Sequence, residues 1–239
     1  MHTHVLPFAL AFAVLHAAPA RAETTRVWIE KGELQYAGYL DDGANAQLFA
    51  LYDSLRPKPT VLAITSKGGD VVTGLALGQW IHAHRLDLKV MEYCLSSCAN
   101  YVFTAGADKI VSNVAVIGFH GGISSPRFDL TGERKARYDA MSKAQQEAFW
   151  TGFRNDMRPL LEREAGFFRL IGVRQDITTY GQADRFKHTV ADGWTFGADG
   201  FKQFGVDRIR VIDGPWRPTP PTAAWKIALL EVDALPATD

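Results

Sequence analysis

Ser97, next to Ser96 in the chain, and His120 are the side chains of this sequence whose types and placement could do chemistry. The two serines sit in a sharp turn between a strand-like run, Lys89 to Tyr93, and a small apolar helix that ends near Gly106. His120 closes a later strand-like run, Val114 to Phe119. A hydroxyl at a strand-to-helix turn and an imidazole at a strand end are the parts of an activated nucleophile. A serine needs such a base to attack near neutral pH, and imidazole is the side chain poised for it. Of the two serines, Ser97 is read as the one that opens the helix. There it could equally be an N-cap, and a solitary histidine at a strand end could be a packed or solvated residue. The pair carries meaning only if the fold brings it together.

A second stretch offers fixed dipoles. Thr60 to Thr65 is a continuous apolar run, expected to be a strand covered on both faces. It leads through Ser66-Lys67-Gly68-Gly69-Asp70 into a helix with Val71, Leu75, Gly78 and Ile81 on one face. A glycine pair between strand and helix exposes peptide N–H groups at a helix N-terminus, an anion site by geometry, although a tight turn would need the same glycines. With Lys89 to Tyr93 as the next strand, strand–helix–strand is complete and a parallel arrangement follows.

The flanking chain reads more plainly. Thr25 to Tyr39 alternates loosely as a hairpin or two short strands, and Asp41 to Asn45 is turn chemistry that could cap a helix over 46–55. Lys109 to Val111 is a further strand. Glu133 to Gly172 reads as two helices, with Pro159 breaking or kinking one, and Tyr138, Phe149, Trp150, Phe153, Phe167 and Phe168 as core or a subunit contact. The stretch 176–190 is irregular. A short helix from Ala198 to Phe204 is stopped by Gly205, and Val206 to Ile212 is a closing strand. From Gly214 the chain is Pro-rich and is expected to be a surface tail.

Composition bounds the function. The 239 residues carry 26 basic and 26 acidic side chains, so the zero net charge offers no footprint for nucleic acid or an anionic membrane. Val5 to Ala18 is apolar and precedes Ala20-Arg21-Ala22, a small-residue cleavage pattern. This predicts a signal peptide over 1–22, a mature chain from about Glu23 in the periplasm, and no membrane attachment after cleavage. The run is shorter than the roughly 20 apolar residues of a spanning helix. In an oxidising compartment Cys94 and Cys98 can close a disulfide that pins the serine turn, or remain two buried thiols. Two cysteines without a nearby histidine cluster make a poor zinc site, so no metal or cofactor is expected.

The order of these motifs resembles the Clp protease proteolytic subunit and the wider Clp/crotonase group, in an exported bacterial branch with a Cys-x-Ser-x-Cys-type nucleophile turn. Ser66-Lys67-Gly68-Gly69-Asp70-Val71 is similar to the family's Ser-Pro-Gly-Gly turn, with Lys67 where Pro is usual. Ser97 precedes Gly106 of Thr104-Ala105-Gly106 by nine residues, the family's spacing of nucleophile to Ala-Gly. His120 in Gly118-Phe119-His120-Gly121-Gly122 matches the family's histidine. Phe204-Gly205-Val206 looks like its closing Gly-Leu-Val segment. The resemblance covers residues 60–122 well and 185–210 loosely.

It implies an α/β fold, a Clp/crotonase-like spiral of ββα units over 23–213, with a Pro-rich C-terminal tail over 214–239. It implies Ser97 as nucleophile, His120 as base, and the N–H groups of Gly69 (or Gly68) and Cys98 as oxyanion hole. The third triad member would be Asp192, with Asp184 as the competing choice. The function expected is that of an exported serine hydrolase, a peptidase acting on peptide or protein substrates. It would work without ATP, since no Gly-x-x-x-x-Gly-Lys loop is present, and as a homo-oligomer. The rivals are a catalytically inactive binding or scaffold protein on the same fold, and crotonase-type acyl-thioester chemistry, which would need no Ser97–His120 pair.

Overall fold

A computed structural model describes residues 24–125 and 132–235; the expected leader lies outside the described residues. The chain is mixed α/β around a six-stranded, mostly parallel sheet. Strands β1 (Arg26–Glu30) and β2 (Glu33–Ala37) form the antiparallel hairpin read in the sequence, turning through Lys31 and Gly32 at positive φ. The other pairings, through β3 (Val61–Thr65), β4 (Asp87–Val90), β6 (Lys109–Ser112) and β9 (Ile209–Ile212), are parallel. Helix α1 (Asp42–Ser54) crosses from β2 to β3, capped by the Asp41 carboxylate on Ala44 N–H at 2.8 Å. Helix α2 (Val71–His84) crosses from β3 to β4, capped in the same way by Asp70 on Thr73 N–H at 2.9 Å. Leu62 and Ile64 of β3 are buried while Val61, Ala63 and Thr65 are half-buried, so only one face of that strand is fully covered.

The run expected as one strand over 89–93 is split. β4 ends at Val90, the chain turns at Met91-Glu92, and β5 (Tyr93–Leu95) starts a second layer in which it pairs in parallel with β7 (Val116–Gly118). Ser66, just past β3, joins the layers: its N–H bonds Tyr93 O at 3.2 Å and its carbonyl accepts Leu95 N–H at 2.9 Å. The second layer continues through an exchange of bonds between Phe119 and Trp194, both 2.8 Å, into β8 (Gly193–Phe196). Phe103, Phe119, Trp194, Phe196, Phe201 and Phe204 form one aromatic cluster, all fully or almost fully buried.

Two further expectations are corrected. Pro159 does not break its helix: α4 (Lys143–Ile171) runs through it. Pro159 and Asn155 lie on the exposed face, so the Asn155 carbonyl left without an N–H partner faces water. The break falls before Ser142, whose hydroxyl and Gln145 form a reciprocal capping box separating α4 from α3 (Gly132–Asp139). The Pro-rich segment is no free tail. Trp216 donates its indole N–H to Ala115 O at 2.8 Å and stacks on Phe201 of α5 (Ala198–Gln203). Strand β10 (Ile227–Leu230) then pairs in parallel with β8. Apolar side chains inside a proline-rich stretch still gain by covering the aromatic core. Among the described residues no helix is long and apolar enough to cross a membrane.

Candidate functional site

The register of β5 and β7 decides what meets. Leu95 lies opposite Gly118, so the next residues, Ser96 on one strand and Phe119-His120 on the other, leave the same end of neighbouring strands. Ser96 N–H bonds Gly118 O at 2.8 Å, and Ser96 O accepts Asn100 N–H at 2.8 Å as the following helix begins. Between these bonds the chain reverses with Ser96 at φ 55°, a left-handed conformation unusual for serine. The reversal throws its side chain toward β7, and Ser96 Oγ lies 2.7 Å from His120 Nε2.

Ser97 is therefore not the partner of His120. It lies in the first helical turn, 3% exposed, and its hydroxyl donates to Gly69 O at 2.9 Å. Adjacent residues at a strand-to-helix elbow point in different directions, and the left-handed one faces the histidine. The signal for Ser96 was present in the sequence, since it is the midpoint of Cys94-Leu95-Ser96-Ser97-Cys98. Cys94 and Cys98 form a disulfide, with Cα atoms 5.2 Å apart and both residues fully buried. Cys98 opens a π-helical stretch, Cys98–Phe103, a winding that recurs at functional sites.

The glycine turn lies against this elbow. Gly68 has φ 91°, and a side chain there would meet Leu95 O, Ser96 Cβ and Ser97 N within 3 Å. Its N–H is taken by Ser66 Oγ at 3.1 Å, so it is not open to a substrate. Gly69 and Ser97 both line the adjoining hollow of about 350 Å³, with Val71 and Ile123 as apolar walls. Cys98, expected as an oxyanion donor, is not among its lining residues. With the hydroxyl one residue earlier, the adjoining amide is that of Ser97.

Ser96 and His120 also border a second hollow of about 170 Å³, walled by Lys67, Asp192, Trp225 and Ile227. The His120 ring reaches solvent, yet these walls strip enough water from it to hold its pKa below the ordinary imidazole value. Asp192 is at the rim but does not complete a triad: its Oδ2 accepts Lys226 N–H at 2.9 Å, and no hydrogen bond joins it to His120. The Asp192 carboxylate is instead engaged by the backbone just ahead of β10. Asp184 is exposed in a 3-10 turn, and it does not line the groove that its neighbours Ala183 and Phe186 line.

Beneath the site lies a polar network that the sequence did not announce. Asn100 Nδ2 donates to Gly121 O at 2.8 Å, holding the loop after His120. Tyr101 Oη donates to Glu164 Oε1 at 2.6 Å, and Gln175 Nε2 donates to Glu164 Oε2 at 2.7 Å. Burial first, and then the Glu164 carboxylate, push the Tyr101 hydroxyl far above its usual pKa. Glu164 is fully buried, so these donors are what its oxygens require. Among the described residues no cluster of His, Cys, Asp and Glu could hold a metal ion. No protein-family model matches this chain, and no curated protein matches it.

Proposed function

We propose that the chain is an exported serine hydrolase, a peptidase of the Clp/crotonase kind, with Ser96 as nucleophile and His120 as general base. The observation that carries it is the 2.7 Å separation of Ser96 Oγ and His120 Nε2 in a groove with hollows on both sides. With the imidazole neutral and its proton on Nδ1, the Ser96 hydroxyl donates to Nε2. Attack on a substrate carbonyl passes that proton to Nε2 as the Oγ–C bond forms. The imidazolium then protonates the leaving amine as the scissile C–N bond breaks. Water, deprotonated by the same nitrogen, hydrolyses the acyl-Ser96 ester. The N–H groups of Gly69 and Ser97 are the donors for the oxyanion, a contribution of roughly 10²–10³ in rate for each such donor.

Other features support the same reading. β4-β5 followed by the π-helix, and β6-β7 followed by α3, each place one strand in either layer before a helix, in keeping with a spiral of ββα units. The Cys94–Cys98 disulfide suits an oxidising compartment and hence export. Assembly into a homo-oligomer rests on the resemblance.

The test is labelling with a fluorophosphonate probe and mapping of the modified residue. We expect modification of Ser96, lost in Ser96→Ala and His120→Ala and kept in Ser97→Ala. Labelling of Ser97, or labelling that survives Ser96→Ala, would overturn the assignment. A second reading, a non-catalytic scaffold, is favoured by one observation, the engagement of Asp192 with Lys226 instead of His120. A folded protein that the probe leaves unmodified would decide for it.

A further inference from the structure

We propose that the Cys94–Cys98 disulfide is the positioning element of Ser96, so that reducing it switches the site off while the fold persists. The proposal rests on the reading of Ser96 as nucleophile.

Ser96 is neither glycine nor asparagine, yet it is held at φ 55°. Such a conformation persists only where the surroundings over-determine it. The backbone bonds around it fix its flanks: Leu95 N–H to Ser66 O, Ser96 N–H to Gly118 O, and Asn100 N–H to Ser96 O. The first two belong to the strand side and the third to the helix. Across the reversal the bridge is the covalent tie, beside the Asn100 N–H to Ser96 O bond, and it holds Cα94 and Cα98 5.2 Å apart. Four extended residues would span about 13 Å. Ser96 is the middle residue of that span.

The bridge is badly placed for any other task. The gain from cross-linking an unfolded chain grows with the loop closed, and this loop is short, with a sequence separation of 4. It ties no distant elements, since Cys94 and Cys98 already belong to neighbouring pieces of one turn. Both are fully buried, so a reductant reaches them only when the turn opens locally, and reduction takes prolonged exposure to excess dithiol. The effect of the bridge is confined to the direction in which Ser96 leaves the backbone, and so to the contact with His120. Reduction by a dithiol adds two electrons and two protons, giving the Cys94 and Cys98 thiols and a cyclic disulfide of the reductant. Reoxidation reverses it.

The experiment compares the oxidised wild-type chain with Cys94→Ala/Cys98→Ala and Cys94→Ser/Cys98→Ser, titrating fluorophosphonate to separate the maximal labelling rate from the half-saturating concentration. We expect the maximal rate to fall by at least about tenfold, as misplacement of a nucleophile does. The half-saturating concentration should stay within about twofold, since most of the walls of both hollows lie outside the bridged turn. Wild type reduced with dithiothreitol, its two thiols counted by mass, should behave as the variants do and recover on reoxidation. Should neither variant fold, the reduced wild type carries the comparison. A bridge-less protein that melts lower but labels at the wild-type maximal rate would overturn the proposal, the bridge being then a plain structural staple. Failure of the underlying reading is a different result, an oxidised wild type that is not labelled at all. The proposal is then read from the His120 ring by NMR, where loss of the bridge should mimic Ser96→Ala.

Discussion

His120 Nε2 lies 2.7 Å from Ser96 Oγ, while the hydroxyl of Ser97 turns away to donate to the carbonyl of Gly69 at 2.9 Å. Two serines adjacent in sequence thus have separate tasks, one facing the groove and the other tying the glycine turn to the elbow.

Ser97→Ala should therefore cost stability without abolishing the site. It removes one buried hydroxyl donor, worth about 1 kcal/mol, and leaves the Gly69 carbonyl without that partner. Thermal melting should show a fall of a few degrees, with probe modification of Ser96 retained.

The pH dependence follows from the direction of the His120 shift. Desolvation disfavours the imidazolium, so the folded-state pKa lies below the ordinary value and the neutral base persists to lower pH. The rate of Ser96 modification should rise with pH and reach half its plateau below about 6.5. A midpoint above that value would contradict the environment described.

Gly68→Ala should damage both fold and site. At φ 91° an alanine is strained, and its Cβ would stand 2.6 Å from Leu95 O and 2.8 Å from Ser96 Cβ. The elbow must shift, and a displacement on the order of 1 Å costs about 10²-fold in rate. Labelling kinetics on whatever fraction of the variant remains folded would measure this.

Tyr101→Phe should lower stability by about 1–3 kcal/mol, because Glu164 Oε1 would be left buried without its donor. Urea unfolding reads the loss. The Tyr101→Phe/Glu164→Gln double variant should recover part of it, since an amide carries no charge to bury.

Trp216→Ala should cost about 1–2 kcal/mol, from the half-buried indole stacked on Phe201 and its bond to Ala115 O. A solvated tail would show no change in the melting temperature.

Much of the frame was legible because its signals are local. The hairpin turn at Lys31-Gly32, the capping turn at Asp41, and the strand–glycine–helix passage through Gly68 each depend on residues within a few positions of one another. The end of β4 was not legible: Lys89 to Tyr93 has no break in its residue types, and the switch at Met91-Glu92 is made by Ser66 pairing with Tyr93 and Leu95. Glu164 gave no sign either, since a glutamate in a charged helix looks solvated until Tyr101, 63 residues earlier, is packed against it.

By itself the sequence determined that a hydroxyl turn, a glycine turn and a histidine would stand at strand ends of an α/β chain, and that two cysteines bracket the hydroxyl turn. Those are consequences of residue type, hydrophobic period and spacing. Only the tertiary structure decided which serine faces His120 and that Asp192 is held by Lys226. Each depends on the register of one strand against another. The partners are distant in sequence, and a shift of one residue reverses which side chain enters the groove.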